Sequence, residues 1–111
     1  MPEIKVLNKY RDAKEIDMCS VNIYHEVIDV MRPNLLGNPF SMKSGNDAER
    51  DRVVSAFKSY LWDNMKKNTE IGQMIDRLAK CDKVIVLVCC CAPKSCHGDI
   101  IKAAIEWKRS H

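Results

Sequence analysis

Glycine and proline are scarce in this chain of 111 residues, which contains only four of each. Such a composition excludes collagen-like and low-complexity chains and is that of an ordinary globular domain. No apolar run approaches the roughly 20 residues of a membrane-spanning helix. Met1–Lys5 also lacks the features of a secretory signal peptide. We therefore expect a cytoplasmic protein that does not enter a membrane.

Positive charge is dispersed along the sequence, although the net charge is +3. Lys66 and Lys67 form the only adjacent lysine pair, and we interpret them as the solvated end of a helix. Aromatic residues make up 6% of the chain and are scattered. Because nucleic-acid binding needs a basic face with interleaved aromatic residues, we expect no nucleic-acid partner.

The order of the predicted elements is that of a compact α/β protein with a single domain over residues 1–111. The fully apolar segment Val84–Val88 predicts a central strand that is parallel to a neighbour, since strands covered on both faces lose their alternation. The first half is predicted to contain a strand at Ile4–Asn8, a loop or poorly ordered turn at Tyr10–Ser20, and strand candidates at Val21–Tyr24 and Val27–Met31 that form one hairpin or one bent strand. The second half is predicted to contain a helix through Val53–Met65, a helix opened by Thr69 and Glu70, and a closing helix through Ile100–Lys108.

A cluster of cysteines directly follows the apolar strand and leads, through a loop with a proline, into the last helix. The cluster and the helix start bring together Cys89, Cys90, Cys91, Cys96 and His97. Open α/β sheets bind ligands at the carboxyl ends of their strands, which is where this segment lies. In a reducing cytoplasm, clustered cysteines indicate metal binding or catalysis before disulfides. Cys19, Cys81 and His25 stand apart from the cluster, and we predict structural roles for them.

The chain carries two motifs, Arg32-Pro33-x-Leu35-x-Gly37-Asn38-Pro39-Phe40 and Cys89-x-Cys91-x-Pro93-x-x-Cys96-His97-Gly98-Asp99. Together they resemble those of a small, functionally uncharacterised domain family found in phages and bacteria. The helix between the motifs matches at Arg50, Val54, Phe57, Tyr60 and Leu61. The resemblance spans residues 4–107 and implies a Rossmann-like sheet with helices packed on it, a ligand pocket and no established reaction. Cys90 departs from the family pattern, which often has an aromatic residue there.

The start of the last helix is a candidate anion site. The first N–H groups of a helix have no partner within it and carry the positive end of the helix dipole. A phosphate or carboxylate is therefore stabilised near Cys96 and His97. Gly98 permits close approach to the backbone, and Asp99 can accept a hydrogen bond from a sugar hydroxyl. The alternative for Asp99 is that it only complements the helix dipole.

The Gly37-Asn38-Pro39-Phe40 loop is predicted to form the opposing wall of the pocket. Asn38 offers donors and an acceptor to a base or ribose, Phe40 offers a stacking surface, and Pro39 restricts the loop. The alternative is a structural turn, with Gly37 at a positive φ angle and Phe40 anchored in the core. Arg32 and Arg50 are the natural phosphate partners, because the guanidinium donors fit phosphate at two points.

The thiols allow two other chemistries. Cys89, Cys91, Cys96 and His97 form a permitted zinc ligand set, although a single residue between paired cysteines on a strand is unfavourable spacing. Alternatively, Cys91 or Cys96 acts as a nucleophile with His97 as its base. A thiol near a helix N-terminus has a lowered pKa, which favours the reactive thiolate.

The prediction is a domain that binds a nucleotide or nucleotide-sugar and either cleaves or transfers at a glycosidic bond or sequesters its ligand. The catalytic candidates are His97, Asp99, Cys91 and Cys96, and the ligand-binding candidates are Arg32, Gly37, Asn38, Pro39, Phe40, Arg50, Cys96, His97 and Gly98. We predict no cofactor and no bound metal. The alternatives are a zinc or thiol-redox module and a phage protein that engages a factor in the host cytoplasm. Self-association into a homo-oligomer is left open.

Overall fold

Strands and helices alternate along most of the chain. The structure is a computed structural model that describes residues 2–31, 34–37, 39, 47–89 and 97–110. Its elements are β1 (Ile4–Asn8), α1 (Ala13–Ser20), β2 (His25–Asp29), α2 (Asp47–Lys67), α3 (Glu70–Ala79), β3 (Val84–Cys89) and α4 (His97–Arg109). No helix in this described part of the chain is both long enough and apolar enough to cross a membrane.

The three strands form one parallel sheet in the order β1-β3-β2. In the register, Asn8 lies beside Cys89 and Asp29 beside Val88. The apolar strand β3 is central and parallel to both neighbours, which confirms the prediction made for Val84–Val88. The strands therefore begin at one edge of the sheet, the amino edge, and end at the other, the carboxyl edge.

Both faces of the sheet are covered, because alternate residues of β3 point to opposite sides. Ile85, Leu87 and Cys89 pack with buried residues of α2, α3 and α4, whereas Val86 and Val88 pack with Cys19 of α1. The larger core thus lies between the sheet and three helices, and the smaller one lies under a single short helix. Since β3 is buried on both sides, it needs apolar residues at every position.

A tight corner joins α2 to α3. Asn68 has a φ of 54°, in the left-handed region that asparagine tolerates better than most residues. Thr69 then caps α3, and its hydroxyl accepts a hydrogen bond from the N–H of Gly72. A Cβ at Gly72 would lie 2.6 Å from the backbone oxygen of Asn64, so only glycine lets the two helices approach this closely.

Two sequence predictions are wrong in this structure. Tyr10–Ser20 is not a loop, since its second part forms α1, in which Ile16 and Cys19 face the sheet. Only these two residues of α1 pack on the sheet, which is too few for a recognisable apolar periodicity, and that packing stabilises the helix. Val21–Tyr24 is a turn rather than a strand, because the Asn22 side chain accepts the N–H of Tyr24 and directs the backbone into the turn.

Candidate functional site

The candidate site is the carboxyl edge of the sheet, where all three strands end. Asn8, Asp29 and Cys89 are the last residues of the strands. The chain leaves this edge three times: into α1, into the segment that leads to α2, and into the segment that leads to α4. Most of the residues predicted from the sequence belong to the last two departures.

His97, the first residue of α4, joins three elements at this edge. Its Nε2 is hydrogen-bonded to the backbone oxygen of Val30, which directly follows β2. Because a carbonyl oxygen only accepts, Nε2 carries the proton. The ring also packs edge-on against Phe57 of α2, with centroids 5.2 Å apart. His97 therefore ties α4 to the end of β2 and to α2.

The next two residues of α4 differ in exposure. Gly98 is buried and Asp99 is exposed in the first turn of the helix. A carboxylate at this position interacts favourably with the helix dipole and remains accessible to a ligand. Both roles considered from the sequence for Asp99, dipole partner and hydroxyl acceptor, are compatible with this placement.

Arg50 lies in the first turns of α2 with its Nε buried and without a hydrogen-bond partner among the described residues. It precedes Phe57 by seven residues, so both lie on one face of α2, with Arg50 about 10 Å nearer the start of the helix. Arg52, in contrast, is exposed and pairs with Glu49. Both arginines open the same helix, but Arg50 is the one directed toward the interior.

A polar turn after β1 was not singled out from the sequence. The side-chain oxygen of Asn8 accepts the N–H groups of Tyr10 and Arg11. The carboxylate of Asp12 accepts the N–H of Asn8 at 2.8 Å and two hydrogen bonds from the Arg11 guanidinium. The signal that could have revealed this turn is a pair of turn-forming polar residues four apart, Asn8 at the end of the strand and Asp12 after it.

The charges of this turn shift the pKa values of its two ionised side chains. The hydrogen bond from Arg11, followed by that from the Asn8 backbone, lowers the pKa of Asp12. The same hydrogen bond to Asp12 raises the pKa of Arg11, and Cys89 is near enough to contribute electrostatically. The N–H of Lys9 donates to the Cys89 oxygen at 2.7 Å, which holds the turn against the end of β3.

Cys89 is fully buried and packs in the larger core. Cys19, predicted to be a passive small residue, is buried in the smaller core. Within the described ranges, no group of three or more His, Cys, Asp or Glu side chains is arranged to hold a metal ion. Cys91 and Cys96, which the zinc and thiol hypotheses need, lie outside the described residues.

The first motif is described only in part. Gly37 is half-buried and closes a turn with its N–H on the Asn34 oxygen, while Pro39 is exposed. No glycine among the described residues has a positive φ angle, so the positive φ considered for Gly37 from the sequence is wrong. Arg32, Asn38 and Phe40 lie outside the described residues. The shared pocket of the two motifs stays a prediction, although Val30 and His97, at the start of one loop and the end of the other, are in contact.

Comparison with protein families identifies a match for most of the chain. A family model described as a domain of unknown function (DUF4326) matches residues 13–107. The match includes the whole of α1 through α3, β3 and most of α4, whereas β1 precedes it. No curated protein and no solved structure matches the chain significantly.

Proposed function

We propose a function for this chain, which belongs to the DUF4326 family: it binds a nucleotide or nucleotide-sugar at the carboxyl edge of its sheet. The observation that carries the proposal is the common end of three parallel strands, where His97 contacts Val30 and the polar turn follows β1. Ligands of open α/β sheets bind outside the carboxyl ends of the strands.

Two features of this edge suit an anionic ligand. Arg50 has a buried Nε that lacks a hydrogen-bond partner in the described part of the chain, and a buried polar group of this kind favours an acceptor. The first turn of α4, with the buried Gly98, provides backbone N–H groups and the positive end of the helix dipole. Arg32 and Asn38, placed by sequence in the segment after β2, would supply further polar contacts.

Acid–base chemistry at the site, where it occurs, is assigned to Asp99 or His97. Asp99 is exposed in the first turn of α4, and His97 begins the same helix with its Nε2 hydrogen-bonded to the Val30 oxygen. An exposed carboxylate can orient a sugar hydroxyl or assist cleavage at a glycosidic bond. Binding without chemistry, as in sequestration of the ligand, uses the same contacts.

The proposal includes the finer features implied by the motifs. We propose a Rossmann-like architecture. Parallel strands with helices on both faces of the sheet support it, and β3 is the central strand. We also propose a cytoplasmic location, in which the cysteines are reduced. The resemblance of the two motifs to a phage and bacterial family supports a phage-encoded protein that acts in its host. A homo-oligomer is compatible with this function.

Isothermal titration calorimetry with AMP, ADP-ribose and UDP-glucose tests the proposal. We expect the parent protein to bind at least one of these compounds, and R32A and R50A each to weaken that binding by about ten- to a hundredfold, as charge-assisted contacts do. R77A is the matched control, because Arg77 pairs with Glu26 at the amino edge. Absence of binding by the parent to all three compounds would refute the proposed function.

A further inference from the structure

The turn after β1 holds an arginine at the carboxyl edge in a fixed position. The Nε and Nη2 of Arg11 donate to the two carboxylate oxygens of Asp12 at 3.1 and 2.8 Å. Asp12 is itself fixed by the N–H of Asn8, whose side chain in turn accepts the N–H of Arg11. Hydrogen bonds thus connect Asn8, Arg11 and Asp12 in a closed set, and they order the Arg11 guanidinium in the absence of a ligand.

This arginine retains the capacity to bind a second anion. Its Nη1 takes no part in the pair with Asp12, and half of its side-chain surface is exposed. A guanidinium has five donors and is weakly hydrated, so it can hold a carboxylate on one side and a phosphate on another. Ordering it in advance removes part of the entropy cost of binding.

The position of Arg11 relative to the other strand ends favours contact with the same ligand. Lys9 is hydrogen-bonded to Cys89 at the end of β3, and β3 is the strand that leads toward His97. Arg11 therefore lies on the β1 side of the edge, while Val30, which follows β2 and contacts His97, lies on the β2 side. Adjacent strands are about 4.8 Å apart, so the two sides are separated by about 10 Å.

From these relations we infer that Arg11 is a ligand-binding residue that contacts the phosphate of a nucleotide whose remaining part extends toward β2. The inference rests on the proposed function and deepens it. It specifies a ligand with a phosphate on the β1 side of the edge and further polar or charged groups about 10 Å away on the β2 side, as in a nucleotide-sugar. Asp12 is a positioning residue, since it acts through Arg11.

Calorimetry of the R11Q variant of the full chain, with ADP-ribose, UDP-glucose and the matching nucleosides adenosine and uridine, tests this inference. We expect R11Q to bind the phosphorylated compounds about ten- to a hundredfold more weakly than the parent does. The nucleosides should bind both proteins equally, because they lack the group that Arg11 contacts. R11K should fall between the two, since it keeps the charge but loses the planar donor set.

The control is R77Q, which also removes an arginine paired with a carboxylate. Arg77 is 54% exposed and Arg11 50%, but Arg77 lies near Glu26 at the opposite end of the strands. R77Q should bind like the parent, and the melting temperature of R11Q should stay close to that of the parent. If R11Q binds ADP-ribose and UDP-glucose as tightly as the parent does, the role of Arg11 is overturned while the proposed function stands. Failure of the parent to bind any compound would overturn this role together with the proposed function.

Discussion

The imidazole ring of His97 packs edge-on against the phenyl ring of Phe57, with an angle of 77° between the ring planes. The same imidazole is hydrogen-bonded to the Val30 oxygen, 67 residues away in sequence. The residue that begins α4 therefore fixes the helix to two other elements at the carboxyl edge. It has a structural role there whatever the ligand is.

The first prediction concerns this structural role. Replacement of His97 by alanine should destabilise the protein by about 1–3 kcal/mol, because the partly buried Val30 contact loses its donor. H97Q keeps an amide donor and should retain more of the stability. Urea denaturation followed by circular dichroism measures both variants. An H97A variant as stable as the parent would show that the contact contributes nothing to folding.

The second prediction concerns the close approach of α2 and α3. G72A places a methyl group 2.6 Å from the backbone oxygen of Asn64, so one helix must shift. We expect a loss of about 1–3 kcal/mol, which exceeds the gain of roughly 0.5–1 kcal/mol in helix propensity. S55A, at an exposed position in the middle of α2, is the control and should be neutral. If thermal unfolding shows G72A to be more stable than the parent, the helices are not packed this closely.

The third prediction concerns acid stability. The pKa of Asp12 is lower in the folded protein, so its contribution is complete above the unfolded value of about 3.9 and is lost as the pH falls through the folded value. We expect the parent to lose stability on acidification below about pH 4, and D12N to lack this part of the loss. Urea midpoints measured across that range give the comparison.

Carbon NMR titration of the Asp12 carboxyl checks the cause of that shift. R11Q should raise the pKa of Asp12, because the hydrogen bond from Arg11 is the largest cause of the lowering. R77Q should leave the titration unchanged, since Arg77 pairs with Glu26 instead. An Asp12 titration that is identical in the parent and in R11Q would contradict the proposed origin of the pH dependence.

The fourth prediction separates the thiol and metal hypotheses. Cys19 and Cys89 are buried, so they should react with a thiol reagent only after unfolding. Cys91 or Cys96 should react first in the folded protein and before Cys90, because a helix start near Cys96 favours the thiolate. A chelator should leave the melting temperature unchanged. Stoichiometric zinc, together with a loss of stability in the chelator, would support the zinc module instead.

Much of the fold follows from local sequence patterns. The apolar residues of β3 require burial on both faces, and the Thr69 cap with the periodic residues after it specifies α3. Helix α1 could not be recognised in this way, because only Ile16 and Cys19 of its residues pack on the sheet. Its stability depends on tertiary contacts, which local periodicity does not report.

The sequence predicts where the candidate site lies but not which residues are in contact there. The position of His97 after β3 placed it at the carboxyl edge, but its bond to Val30 joins distant parts of the chain and has no local signal. Helical spacing puts Arg50 on the face of Phe57, seven residues away, and puts Arg52 on another face. Only the packing of α2 shows that the Nε of Arg50 is buried and that Arg52 pairs with Glu49. The importance of Arg11 depends on the turn that Asn8 and Asp12 form.

The central claim is that a nucleotide-like ligand binds at the carboxyl edge of the sheet. Two-dimensional NMR of the labelled protein, titrated with ADP-ribose and UDP-glucose, tests the claim most directly, because each amide reports its own surroundings. We predict that the amide signals of residues 8–12, 29–31 and 97–99 shift with ligand concentration, while those of Glu3, Tyr24 and Val84 at the amino edge do not. Shifts confined to the amino edge, or no shifts with either compound, would contradict the account.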